Sequence, residues 1–276
     1  VGEKNLPEAT MEALYAKYGL DKPVWMQYFI YLGNVLHGDL GISLQNDRPV
    51  TTVIGESFVV SFDVGIRAIL FAFILGVVLG TLAAIKRGTA VDTICMLVAL
   101  VGVSVPSFIV ASLLQYYLGM RITMALGTPV FATTGWDGLN SKILPVFALG
   151  FSSLAQISRL TRTSMLDVLG QDYIKTAKAK GLSQPAIIWK HALRNSVTPV
   201  VVQEAGAAGV LTGGFVVENI FSIPGMGRYF VQSIQNLDYT MISGTTIFYG
   251  AFLILANLVV DLVYGVIDPR VKLQEG

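Results

Sequence analysis

The stretch DYIKTAKAKGLSQPAIIWKHALRN, residues 172–195, decides how this chain is read. It is basic, rich in helix formers, and divided by a single glycine, Gly181. Lys175–Lys180 favours a helix. Beyond the glycine, Ser183 is placed to cap a second helix with Pro185 in its first turn, running to about Arg194 and ending at Asn195. Glycine supplies the positive φ that a tight helix–helix corner needs. Thr176, Ala177 and Ala179 are small, which allows a partner surface to come close. Apolar runs lie on both sides of the stretch. A helix–glycine–helix loop between two spans suits a membrane protein that grips a soluble partner.

Composition agrees with a membrane setting. The chain has 276 residues, 53% hydrophobic and 13% charged, with a mean hydropathy of +0.64. Soluble domains carry roughly 25% charged residues. The net charge of +1 provides no global field for nucleic acid or an acidic partner. One cysteine, Cys95, sits in an apolar run as a small buried hydrophobe, so no disulfide framework or cysteine zinc site is available.

Five apolar segments are candidate spans, at about Gly65–Ile85, Ile94–Leu118, Ile143–Ser158, Ser196–Val217 and Ile242–Ile267. A crossing needs about 20 mainly apolar residues. The third is short and is expected to borrow length through snorkelling of Arg159 and Arg162. Lys and Arg placement sets the orientation. With the 159–195 loop inside, Arg159, Arg162, Lys175, Lys178, Lys180, Lys190 and Arg194 join Lys86, Arg87, Arg270 and Lys272 on the cytoplasmic side. The two loops opposite hold only Arg121, Lys142 and Arg228. The C-terminus is then cytoplasmic and residues 1–64 form an extracytoplasmic cap before a transmembrane domain over 65–276. Short helices are expected at Pro7–Tyr18 and Pro23–Leu36, a turn at Gly38–Gly41, and headgroup contacts from Trp25, Tyr28, Phe29 and Tyr31. An outside start predicts one further span ahead of Val1, six in all; a cleaved signal peptide is the alternative.

Catalytic signatures are absent from the sequence. It contains no G-x-x-x-x-G-K-[ST], no H-E-x-x-H and no G-x-S-x-G, and both histidines, His37 and His191, lie outside the spans. Transport is the natural remaining role. Glu204, with Gln203 beside it, lies about 12 Å into the fourth span. A charge there faces protein or water, so it serves either a substrate pathway or an inter-helix hydrogen bond. Asn257, Asp261 and Tyr264 share one face of the last span, and Asp63 and Arg67 are spaced to pair at the outer edge. Gly76-x-x-x-Gly80 permits close helix approach. Pro106, Pro145 and Pro199 are candidate kinks. Gln115, Tyr116 and Tyr117 are expected as interfacial anchors.

The loop resembles the EAA loop of ABC-importer permeases, E-A-A-x3-G-x9-I-x-L-P. Ala177, Gly181 and Leu193 match; Lys175, Thr176, His191 and Arg194 depart toward the peptide-permease form, D-Y-x-[RK]-T-A-[RK]-A-K-G-L followed by [RK]-H-A-L-R-N. Further motifs in order are similar to the same subfamily: YGLDKP from Tyr18, GDLG from Gly38, SVPSF from Ser104, VENIFSIPGMG from Val217, Asp238–Tyr239, and DLVYGVIDPR from Asp261. The resemblance is greatest to the first permease of oligopeptide importers. It implies an all-α type I permease bundle without chemistry of its own. It also implies a second related permease, two ATPase subunits holding ATP and Mg, and an extracytoplasmic peptide-binding protein. Asp172, Tyr173, Lys175, Thr176, Ala177, Lys178, Ala179, Lys180, Gly181 and Leu182 become the ATPase-coupling residues. Dipeptide, nickel and glutathione importers of the subfamily are alternatives, as is an ion-driven carrier of another class. The lack of an intramembrane His or Met cluster argues against direct metal ligation.

Overall fold

The described backbone is mostly helical in a computed structural model that describes residues 22–205 and 214–267, with the side chains of 202–205, 261 and 263–267 left out of the description. Among the described residues the only extended pairing is an isolated bridge between Ile42 and Pro49. Helix α1 covers Val24–Leu36 and buries none of its residues. Gly38 and Gly41 follow with φ of +82° and +89°, the turn expected there. The helix expected at Pro7–Tyr18 lies outside the described residues.

Helix α2 runs Val50–Ile85, 36 residues, about 54 Å. It begins 15 residues before the apolar run at Gly65. The physical reason is an inward face that precedes the apolar run: Val50, Val53, Ile54, Ser57, Ser61 and Val64 are buried at helical spacing. They face protein, not lipid, so they need not be uniformly apolar. The stretch up to residue 64 and the apolar run after it are therefore one helix.

The second expected span is two helices, α3 (Ala90–Ser104) and α4 (Ser107–Leu126). Pro106 does more than kink it. Val105 and Pro106 adopt extended backbone, with ψ of 120° and 141°, and the helix stops and restarts. This follows from the missing N–H of proline and the clash it imposes on the residue before it. A π-helical turn over Gln115–Arg121 interrupts α4. Pro145 falls in the first turn of α5 (Ile143–Leu169), where no intrahelical N–H bond is lost. Pro199 lies at the second residue of α8 (Thr198–Ala205), just past the one-residue interruption at Val197, where the Val197 N–H still donates to Leu193 O and the Val201 N–H to Val197 O; it breaks an otherwise continuous helical path, as expected.

Between α5 and α8 lie α6 (Asp172–Ala179) and α7, residues 184–196, whose middle, Ile187–Ala192, is π-helical. After residues 206–213 come α9 (Phe215–Ile220), α10 (Met226–Gln235) and α11 (Tyr239–Ile267). Four helices among the described residues are long and apolar enough to cross a membrane: Val50–Ile85, Ser107–Leu126, Ile143–Leu169 and Tyr239–Val260. The middle of the fourth expected span lies outside the described residues.

Helix α5 is the centre of the bundle. Gly150 meets the carbonyl of Ala68, Gly76 meets Ile157, and Gly80 meets Ser158 and Thr161. The order rises together, so α2 and α5 are parallel. A Cβ added at Gly76 would sit 2.7 Å from Ile157 Cγ2, and one at Gly80 would strike the Ser158 carbonyl. The Gly-x-x-x-Gly pair is thus where the two backbones approach. Along α3 and α4 the order reverses: Asp92 meets Arg162, Gly102 meets Ala155 and Phe151, and Gly119 meets Leu144. The broken pair α3–α4 is therefore one antiparallel crossing beside α5. Successive crossings alternate as the charge pattern requires.

Candidate coupling corner and the family it identifies

The 172–195 stretch folds as a corner docked on the end of α5. Helix α6 stops at Gly181, which has φ +75°. The Gly181 N–H donates to Lys178 O at 3.0 Å and the Leu182 N–H to Ala177 O at 3.3 Å. This pair of bonds is a Schellman closure with glycine in the left-handed position. A Cβ there would meet nothing within 4 Å, so the backbone alone requires glycine. Ser183 has the extended backbone of an N-cap residue but makes no side-chain capping bond. The second helix passes Asn195 and ends at Ser196.

One sequence expectation changes sign here. Ala177 is buried against Ala84, Met165, Ile174, Ile187 and Ala192. Its small size serves packing inside the corner, not access for a partner. The partly buried Leu182 closes over this cluster. The outer surface belongs to Lys175, Thr176, Lys178, Ala179, Lys180 and Gly181, all exposed, with Asp172 at the start of α6. Lys175 Nζ lies 2.8 Å from Asp172, an exposed pair that screening makes weak. Tyr173 is exposed and its hydroxyl accepts from Asn195 Nδ2 at 2.9 Å, bridging the two helices. Trp189 stands 62% exposed on the second helix. The sequence reading passed over it; a lone tryptophan between Ile188 and Lys190 was the available signal. Aromatic side chains on a basic surface are typical anchors for a protein partner.

Beside the corner, Arg162 does not snorkel. It makes two bonds to Asp92, of 2.6 and 2.8 Å, tying α5 to the first turn of α3. The Gly88 N–H donates to the same carboxylate at 3.0 Å. The Arg162 bonds, then the Gly88 N–H, hold the Asp92 carboxyl down to about 2. Arg159 is exposed one turn earlier. Glu204 and Gln203 occupy helical positions in α8, but their side chains lie outside the described residues.

The family model described as binding-protein-dependent transport system inner membrane component matches residues 76–273, across the corner and the bundle that carries it. The chain belongs to this family. It is 44% identical to the dipeptide transport system permease protein DppB of Bacillus subtilis (strain 168), covering 99% of this chain and 87% of that one. It is 41% identical to the oligopeptide transport system permease protein OppB of Escherichia coli (strain K12), over 98% of this chain and 88% of the relative. The fold matches a chain of the inward-facing MetNI methionine ABC transporter with TM-score 0.61 at 14% identity, covering 78% of this chain and 96% of that one. An amino acid ABC transporter chain matches at 0.58 and 13%, covering 78% and 94%. The chain is a multi-pass membrane component of the type I permease fold.

In this family member the opposite end of the bundle is closed by polar bonds, most of which the sequence left unassigned. Glu218 in α9 is fully buried and accepts from the Gly227 N–H at 2.8 Å. The Met226 N–H donates to Ser61 Oγ of α2 at 2.8 Å. Gly225 and Gly227 press against the carboxylate, and a Cβ at Gly227 would lie 2.9 Å from Glu218 Oε2. Burial pushes the Glu218 carboxyl up to about 7; the residue sits level with Ser61, outside the apolar run that begins at Gly65. Asp238 caps α11 through the Met241 N–H at 3.1 Å and accepts from Ser43 Oγ. Asp63 pairs with Arg67 at 2.7 Å as expected, and also with Lys142 at 3.1 Å and the Trp136 Nε1 at 3.1 Å. Gln115 is a clamp and not an interfacial anchor: its Nε2 donates to Thr133 O at 2.7 Å and Ile220 O at 2.8 Å. Tyr116 and Tyr117 remain exposed and stack edge to face.

Proposed function

We propose that this chain is the transmembrane permease of a peptide-importing ABC transporter and that the 172–195 corner couples it to ATP hydrolysis. The observation that carries the reading is identity of 37–44% to dipeptide and oligopeptide permeases along nearly the whole chain. The 172–195 stretch folds as a packed corner at the surface, and that supports it.

On this reading the basic end of the bundle and the C-terminus are cytoplasmic, in the bacterial inner membrane. A second, related permease completes the pathway. Two ATPase subunits bind ATP and Mg and dock on Asp172, Tyr173, Lys175, Thr176, Lys178, Ala179, Lys180 and Gly181, with Trp189 as an added anchor. Ala177 and Leu182 hold the corner together from inside. Chemistry stays on the ATPases. An extracytoplasmic binding protein delivers peptide to the outer end. Closure of the ATPases pushes on the corner, and α5, into which the corner packs, passes the motion to the bundle. Glu204 and Gln203 are pathway candidates on α8.

The test is ATP-driven uptake of labelled peptide by proteoliposomes holding the assembled complex and its binding protein. Competition by trialanine and by pentaalanine grades length preference. Uptake that needs ATP, the binding protein and this chain supports the reading. Uptake driven by an ion gradient without ATPases contradicts it.

A further inference from the structure

The surface of the central helix α5 differs in kind from that of its neighbours. Over Ile143–Leu169 the exposed positions are Ile143 at the tip and then Gln156, Arg159, Thr163 and Asp167. Their spacing of three and four puts the last four on one stripe. All are polar. On the parallel helix α2, within the apolar run, the exposed positions after Arg67 are Leu70, Ile74, Leu75, Val78, Leu82 and Ile85. Helix α2 is dressed for lipid and α5 is not. A polar stripe on a membrane helix faces protein or water.

The stripe borders an open cavity of about 510 Å³ lined by Ser152, Gln156, Arg159, Thr163, Val103 and Leu160. A second cavity, about 490 Å³, lies between α3 and α5 and shares Arg159 with the paired Asp92 and Arg162. Arg162 is neutralised by its carboxylate. Arg159 makes no ion pair among the described residues. It lies level with Gly80, which contacts Ser158 and Thr161. That is six residues before Lys86, about 9 Å inside the end of the span. A guanidinium at that depth, at the junction of two cavities and without an ion pair among the described residues, has the fork geometry that suits a carboxylate.

We infer that the stripe of α5 lines the path of the substrate and that Arg159 receives the C-terminal carboxylate of the passing peptide. The inference rests on the peptide-permease reading above. Gln156 and Ser152, one and two turns toward the outer end, offer hydrogen bonds to the peptide backbone behind the carboxylate. Arg159 sets a preference for free-acid peptides over peptides blocked at that end.

The experiment measures ATP-driven uptake of trialanine and its C-terminal amide by the reconstituted complex, with the binding protein brought to equal occupancy by each. Wild type, Arg159→Gln and Arg159→Lys are compared, with complex assembly followed by size-exclusion chromatography. The expected result is a fall of about tenfold in the free-acid-to-amide ratio for Arg159→Gln, the scale of one lost charged hydrogen bond. Arg159→Lys keeps only part of the ratio, because an ammonium retains the charge but not the two-pronged bond. An equal loss for both peptides overturns the inference: with intact assembly it assigns Arg159 to lipid phosphates, and with broken assembly to the second permease. An unchanged ratio with unchanged rates overturns it as well. Absence of ATP-driven uptake in wild type defeats the underlying permease reading instead.

Discussion

Asp92 and Arg162 join α3 to α5 through two short bonds and a third from Gly88, so the pair is a fixed joint beside the coupling corner. Asp92→Ala leaves a half-buried guanidinium without its partner and is expected to lower the melting temperature of the purified complex; exchanging the charges, Asp92→Arg with Arg162→Asp, should recover part of the loss. No recovery would mean that the pair does not act as a pair. Its carboxyl is lowered from 3.8 to about 2, so the stabilisation is present above 3.8 and is lost as pH falls through 2. Glu218 works in the opposite sense. Its carboxyl is raised from 4.5 to about 7, and the buried neutral acid is the favoured folded form. Its contribution is full below pH 4.5 and is lost as pH rises through 7. Melting of the wild type should therefore decline across that window, and Glu218→Gln should flatten the decline. A parallel decline in both proteins would remove Glu218 from the account. Neither residue was legible in the sequence, because a lone acid in an apolar neighbourhood does not say what lies across from it. Gly181 was legible, because its need is local backbone conformation.

Among the elements, the long parallel contact of α2 with α5 carries the bundle. Gly80 lies against the Ser158 carbonyl and the Arg162 backbone N, and a Cβ would be 2.6 Å from Thr161 Cβ. Gly80→Leu is expected to push the helices apart at a cost of about 1–3 kcal/mol, read as reduced thermal stability of the complex in detergent; Gly55→Leu, where a Cβ meets nothing within 4 Å, serves as the control. Equal melting of the two variants would show that the close approach is not where the bundle is held. The existence of these helices was readable from apolar runs. Their ends were not. Helix α2 extends outward to Val50 because Val53 and Ile54 pack with Met226 and Met241 across the outer helices, a tertiary partner no local pattern announces. The break at Pro106, the interruption before Pro199 and the harmless placement of Pro145 depend on where each helix starts, which hydropathy does not define.

At the scale of the whole molecule, the proposed function rests on one arrangement. A corner held rigid by Ala177, Ile174 and Leu182 presents Tyr173, the lysines and Trp189 outward, and it packs on Met165 of the helix that runs through the centre of the bundle. The loop was legible because its glycine, helix formers and motif residues stand together in the sequence. The direction each side chain faces was not, and Ala177 shows the consequence: a motif residue supports the proposed docking surface from beneath without belonging to it. The most direct test is peptide-stimulated ATP hydrolysis by the complex of this chain with the second permease, the ATPases and the binding protein, in wild type and Trp189→Asp. The account predicts that peptide accelerates hydrolysis in wild type, and that the variant melts normally yet loses the stimulation by about tenfold or more, as an interface anchor does when removed. Undiminished stimulation in a folded Trp189→Asp complex, or hydrolysis indifferent to peptide in wild type, would contradict it.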